Sequence, residues 1–207
     1  MSTIPDDGSY ALASLEEREN RLRMLHRPHI APLTQFVLDL RKQRGFSNEV
    51  PYFDPCDGGI RAHALFLLEA PGPKARASGF ISRDNPDPSA RNFRALLHEA
   101  NILRENTVLW NIVPWYIGTG TTIRAATSTD IRMGATHVKD LLALLPRVRL
   151  VVLVGRKAQR VRDAIYALTN AEIFETLHPS NQVVVCWPNK RKQLQRELAA
   201  VSSFLSK

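Results

Sequence analysis

The sequence predicts a three-layer α/β/α fold around a central, mainly parallel four-stranded sheet. Four short apolar runs rich in branched residues, "ALFLLE" (64–69), "TVLWNIV" (107–113), "RLVVLV" (149–154) and, more weakly, "EIFET" (172–176), have the length and composition of buried strands. Each is separated from the next by a stretch with helical periodicity, and such alternation closes into a parallel sheet through right-handed crossovers. A length of 207 residues with 44% hydrophobic and 23% charged content suits one domain, residues 1–207, with a sizeable core.

Taken in order, residues 1–13 read as a loose tail, and residues 14–63 as N-terminal helices followed by a loop. "LEERENRLRMLH" and "APLTQFVLDLRKQRG" are the helices, the second placing Phe36, Val37 and Leu40 on one face and stopping at Gly45. "FSNEVPYFDPCDGGIRAH" (46–63) is long and rich in Pro, Gly and Asp, the mark of a functional or poorly ordered loop, with Tyr52, Phe53 or Asp54 available to roof a site. After the first strand, Asp87 caps a helix that starts at Pro88 and turns Ala90, Phe93, Leu96, Leu97 and Ala100 inward. Thr129 is the expected cap of the next helix, with Ile131, Ala135, Val138, Leu141, Leu142 and Leu145 on its face. Ala158, Val161, Ile165 and Leu168 mark a third, and Leu194, Leu198, Val201 and Leu205 a closing one. "VVVCW" (183–187) reads as a short extra strand or a buried connector.

Several function classes are disfavoured. No apolar stretch approaches the roughly 20 residues that cross a bilayer, and the N-terminus lacks a basic leader before an apolar core, so a cytoplasmic protein is expected. Cys56 and Cys186 stand far apart outside any CxxC pattern, which argues against a zinc site, a cysteine-held iron-sulfur cluster or a disulfide scaffold. No cofactor is expected. The net charge of +8 favours a polyanionic partner, and from Arg147 onward eleven basic residues face four acidic ones.

In an open parallel sheet, ligands sit beyond the carboxyl ends of the strands. Those ends read "EAPGP", "NIVPWY", "VGRKAQ" and "LHPSNQ", and three of them bring a polar side chain, Glu69, Asn111 and His178, to one rim. The prolines after Glu69 hold backbone groups still, while Gly72 permits close approach of another molecule.

"LLEAPGP" with Phe80 eight residues after Gly72, then "NIVPW" and "LHPS" at later strand ends, resembles the uracil-DNA glycosylase superfamily. The resemblance runs over roughly residues 64–205 and rests on the order and spacing of the motifs. It implies an enzyme that flips a nucleotide out of DNA and cleaves the bond between base and sugar, releasing uracil and leaving an abasic site. It further implies a monomer acting on uracil-containing DNA, with uracil as product and no membrane; the branches that own the Glu-Ala-Pro-Gly motif hold an iron-sulfur cluster with four cysteines, and with two cysteines this chain is expected to hold no metal cluster. Phe80 matches the aromatic that stacks on the flipped base. Ala70, Pro71 and Gly72 match the first-motif loop beside it. Asn111 matches the reader of the uracil edge, because its amide can donate to O4 and accept from N3–H. His178 matches the histidine that donates toward O2 as charge develops on the leaving base. For water activation, Glu69 matches the Glu-Ala-Pro-Gly branch, although Leu68 replaces that motif's first glycine, and Asp84 is the second candidate. Phosphate contacts fall to Lys74, Arg76 and Arg83 in the first loop, Ser180 of the last motif, and Lys190, Arg191 and Lys192 at the start of the last helix.

Rival readings remain at this point. "RLVVLVGRKAQR" as a nucleotide-binding strand-Gly-helix has only Gly155 and lacks a glycine-rich phosphate loop. A uracil-DNA binder without catalysis, or a member in which His178 attacks the sugar and stays attached, would use the same residues.

Overall fold

A computed structural model of the chain describes residues 10–45, 49–119 and 122–207. The four expected strands, β1 (Ala64–Leu68), β2 (Thr107–Asn111), β3 (Leu150–Val154) and β4 (Glu172–Thr176), form one sheet in the order β2-β1-β3-β4. All neighbours are parallel, and the register sets Leu65 beside Val108 and Val151, and Leu67 beside Trp110 and Leu153. β1, β2 and β3 are buried on both faces, which is why their sequences are continuous apolar runs. β4 is an edge strand in which exposed Glu172 and Glu175 interrupt buried Ile173 and Thr176, hence its weaker signal in the sequence.

The helices are α1 (Leu15–Met24), α2 (Ala31–Arg44), α3 (Pro73–Ser78), α4 (Pro88–Glu99), α5 (Ser128–Ala135), α6 (Val138–Ala143), α7 (Arg156–Gln159), α8 (Arg162–Tyr166) and α9 (Pro188–Leu205). The crossover from β1 to β2 runs in the opposite direction to those from β2 to β3 and from β3 to β4. With right-handed crossovers, α4 therefore covers one face and α5–α8 the other. α9 packs on α4 and β4, while α2 reaches the α5–α8 face, where Phe36 meets the Trp110 ring edge-on at 6.1 Å.

Several sequence expectations are corrected. Thr127, not Thr129, caps α5, because only Thr127 has an acid three residues on: its hydroxyl accepts from the Asp130 N–H while the Asp130 carboxylate accepts from the Thr127 N–H. The second and third expected helices are each broken in two. Residues 183–187 lie mostly in a π-helical turn, Gln182–Cys186, rather than a strand. The proline-held loop after Glu69 is short, since the chain enters α3 at Pro73.

Of the supposed tail, residues 1–9 lie outside the described residues, but Ala11–Ala13 form a helical turn that buries Leu12 against Leu25 and Phe80. Of the stretch 46–63, residues 46–48 lie outside the described residues, and residues 49–63 do not line the cavity at the carboxyl rim of the sheet. Phe53 stacks on Trp110 with ring centres 3.9 Å apart, Tyr52–Phe53 pairs in parallel with Phe80–Ile81, and Asp54 is buried among arginines.

Candidate active site

The strand order changes direction at β1, so the loops leaving β1 and β3 part toward opposite faces and open a crevice at the carboxyl rim. A cavity of about 470 Å3 fills it, walled by Leu68 to Ala75 after β1, Asn111 at the end of β2, the first turn of α4, and His178 with Pro179 after β4. Ile123, Arg124 and Ala125 border it from a small hairpin. Glu69, Ala70, Pro71, Gly72, Lys74, Asn111 and His178 are thus brought together as the sequence led one to expect.

Asn111 is the last residue of β2 and only 4% exposed, yet its amide makes no hydrogen bond among the described residues. The amide is not one of the fully buried polar atoms left without a partner, so it is open to the cavity, where a polar ligand can reach it. Glu69 is anchored by one carboxylate oxygen, Oε1, which accepts from the Ala126 N–H at 2.7 Å. Lys157 Nζ donates to the Ala126 carbonyl at 2.7 Å, so a cation steadies the same short segment.

His178 is desolvated by its surroundings, which lowers its pKa below the ordinary imidazole value even though Glu69 and Asp87 pull the other way. The ring is therefore neutral at pH 7. Its position depends on Gly155 at the end of β3: a Cβ there would stand 3.0 Å from His178 Cβ, and the φ of +82° disfavours any other residue. Gly72 is different. Its backbone is extended and a Cβ would meet nothing within 4 Å, so a side chain at this position would project into open space at the cavity wall.

Of the predicted base-binding and catalytic residues, two are not brought to the cavity. Phe80 is fully buried against Leu12, Leu25 and Tyr52. It pairs in an extended segment in which successive side chains face opposite ways, so its neighbour Ile81 takes the cavity side. Phe93, set edge-on against Phe66, is the aromatic side chain on the wall among the described residues. Asp84 is 1% exposed and held by Arg21 (2.6 Å), Arg104 (2.7 Å) and Arg94. Burial alone would raise its pKa, but Arg104 and Arg21 outweigh that and hold it at about 2.

Among the proposed phosphate contacts, Arg83 borders the cavity, but its guanidinium is buried and donates to Thr107 Oγ1 at the start of β2, so it does not face outward. Arg76 pairs with Glu49 at 2.8 Å. Ser180, Lys190, Arg191 and Lys192 are off the wall; the last three are exposed, with Arg191 3.4 Å from Glu99 and Lys190 4.2 Å above the Trp187 ring.

Asp87 was legible only as a cap. Its carboxylate does accept from the Ala90 N–H at 2.9 Å, but it also faces the cavity. Burial raises its pKa, against the pull of the Ala90 and Ser89 N–H groups, His178 and Lys74. The signal was available: a crossover helix leaving a parallel strand begins at the carboxyl rim, so its N-cap belongs to the site.

Fold and cavity together define an open α/β protein that takes its ligand at a topological switch, with an unpartnered amide, a neutral histidine and two carboxylates around it. A family model described as the uracil DNA glycosylase superfamily matches residues 55–202. The chain belongs to the uracil-DNA glycosylase superfamily, and its general character is that of a glycosylase-like protein whose substrate is DNA. No curated protein matches it.

Proposed function

We propose that the protein is a monofunctional glycosylase that hydrolyses the N-glycosidic bond of a flipped-out deoxyuridine in DNA. The observation that carries this reading is the convergence of Asn111, His178, Glu69 and Asp87 on one rim cavity. Asn111 reads the uracil edge, donating to O4 and accepting from N3–H. As the bond breaks, its electron pair passes to uracil N1, and negative charge spreads to O2 and O4. A neutral His178 donates a hydrogen bond toward O2 without first giving up a proton, and Asn111 does the same at O4.

The sugar left behind is an oxocarbenium-like cation, which Glu69 and Asp87 favour electrostatically. Water adds to C1′, and its proton passes to one of these carboxylates. Asp87 is the better base on position, because burial keeps its proton affinity high, and it replaces Asp84 in this role. Beside His178 and Pro179, the Gln182–Cys186 turn leaves Val185 and Trp187 exposed, and these apolar side chains suit the gap that a flipped nucleotide leaves in the stack.

The test is a labelled oligonucleotide with one uracil, with alkali cleavage of abasic sites, comparing the parent with Asn111→Ala, His178→Ala, Glu69→Gln and Asp87→Asn. Cleavage by the parent that collapses in the first two variants supports the reading, and the carboxylate variants assign the water. Uracil-dependent retention without cleavage would instead mark a binder, or a crosslinker through His178 if retention survived denaturation. The absence of both cleavage and retention would exclude uracil in DNA as the ligand.

A further inference from the structure

A second depression, about 630 Å3, lies between α5 and α8 and shares no lining residue with the rim cavity. Its floor is apolar. Ile131 and Val161 are buried at the base, Leu168 stays 38% exposed on one side, and the small Ala135 and Ala164 keep the space open. Above this floor stand Arg132, Lys139 and Arg160, all exposed, and no acidic residue lines the depression.

None of the three cations makes an ion pair or a side-chain hydrogen bond among the described residues, whereas nearby surface arginines do: Arg124 pairs with Asp130 at 2.6 Å and Arg162 with Glu175 at 3.3 Å. Asp140 and Asp163, adjacent in the chain or on the same helix, lie outside the trough. A depression with an apolar base, open to solvent at Leu168 and topped by unpaired charges of one sign, marks an interaction surface rather than a solvated face. Nucleic acid would satisfy the cations but gains nothing from the leucine, isoleucine and valine below them. An acidic peptide with apolar side chains satisfies both.

We propose that this trough docks an acidic, leucine-bearing peptide segment of a partner protein, its apolar side chains on Ile131, Val161 and Leu168 and its carboxylates on Arg132, Lys139 and Arg160. The inference does not depend on the chemistry of the rim cavity. The probe is a fluorescein-labelled octapeptide, Asp-Glu-Asp-Leu-Asp-Glu-Leu-Phe, titrated with the full chain and read by anisotropy. Saturable binding is expected, about tenfold weaker in Arg132→Glu/Arg160→Glu. A second peptide with alanine at its three apolar positions should bind about tenfold more weakly to the parent.

No binding by the parent, or binding indifferent to the charge reversal, overturns the proposal. Equal binding of the alanine peptide would reduce the trough to a generic basic surface, and equal weakening toward a uracil-free duplex would make it part of a DNA footprint; either result also overturns it. A thermal melt checks that the variant folds, and Arg132→Gln/Arg160→Gln, expected to lose about threefold, poses the same question with a milder change.

Discussion

Asp84 and Asp87 stand on one short segment, three residues apart, and are used in opposite ways. Asp84 turns away from the cavity into a cluster with Asp54, Asp57, Arg21, Arg94 and Arg104, in which Arg104 alone reaches all three aspartates at 2.6 to 2.8 Å. Asp87 turns toward the cavity, where its carboxylate accepts from backbone N–H groups at the start of α4 and pairs with no guanidinium among the described residues, while His178 and Lys74 act on it electrostatically. A carboxylate saturated by guanidinium groups has no lone pair or proton affinity to spare for water. One that is half-buried with few donors has both. The segment thus divides its carboxylates between holding the N-terminal helices on the domain and equipping the site, and the contrast can be broken in several ways.

The largest effect should follow from Asp84→Ala. It leaves Arg21 and Arg104 facing one another with a missing partner, and removing one member of a buried ionic cluster costs about 3–5 kcal/mol. Chemical denaturation should show that loss, while the activity of the molecules still folded stays close to the parent's. Equal loss of activity per folded molecule would return Asp84 to the catalytic group.

Asn111→Ala and His178→Ala should do the reverse. Under the proposed mechanism each removes a hydrogen bond made to charge on the departing base, worth about 10²–10³ in rate, and neither side chain makes a hydrogen bond that holds the fold among the described residues. Single-turnover cleavage of the uracil oligonucleotide should fall by that factor with little change in the denaturation midpoint.

Gly155→Ala should come next. The new methyl group meets His178 Cβ at 3.0 Å on a backbone with φ of +82° and ψ of 158°, an essentially glycine-only conformation that costs another residue about 1–3 kcal/mol. Both stability and rate should fall, and a Gly72→Ala control, which adds its methyl group where nothing lies within 4 Å, should preserve stability.

The same contrast explains what the sequence could reveal. Strand runs, the helix cap at Asp87 and the three rim residues Glu69, Asn111 and His178 follow from local patterns, because periodicity and strand ends are local properties. Phe80 and Asp84 misled because their fates depend on pairing with distant segments. Tyr52–Phe53 fixes which way Phe80 faces, and arginines 63, 20 and 10 residues away in sequence capture Asp84. Glu69 and Asp84 carry the same charge in the sequence; only the tertiary fold counts the guanidinium groups around each.

Acid separates the two regions most cleanly, though with the smallest effect near neutrality. His178 has a lowered pKa, so it is neutral at pH 7 and becomes protonated only below the ordinary imidazole value. Activity that uses the neutral ring should hold through neutrality and fall on the acid side. The stability supplied by Asp84 has a different window. Its folded pKa of about 2 lies below the unfolded value of 3.8, so that contribution is complete above about pH 4 and is lost as the pH falls toward 2. Asp57 runs the other way: burial raises its pKa, so the folded state takes up its proton more readily than the unfolded chain and gains stability as the pH drops below neutrality. Between pH 6 and 4, neither aspartate therefore favours unfolding. Cleavage rate and melting temperature measured side by side over that range should diverge, the rate falling while the fold holds. If they fell together, acid would be acting on the cluster that holds the N-terminal helices, and the functional separation of Asp84 from Asp87 would not stand.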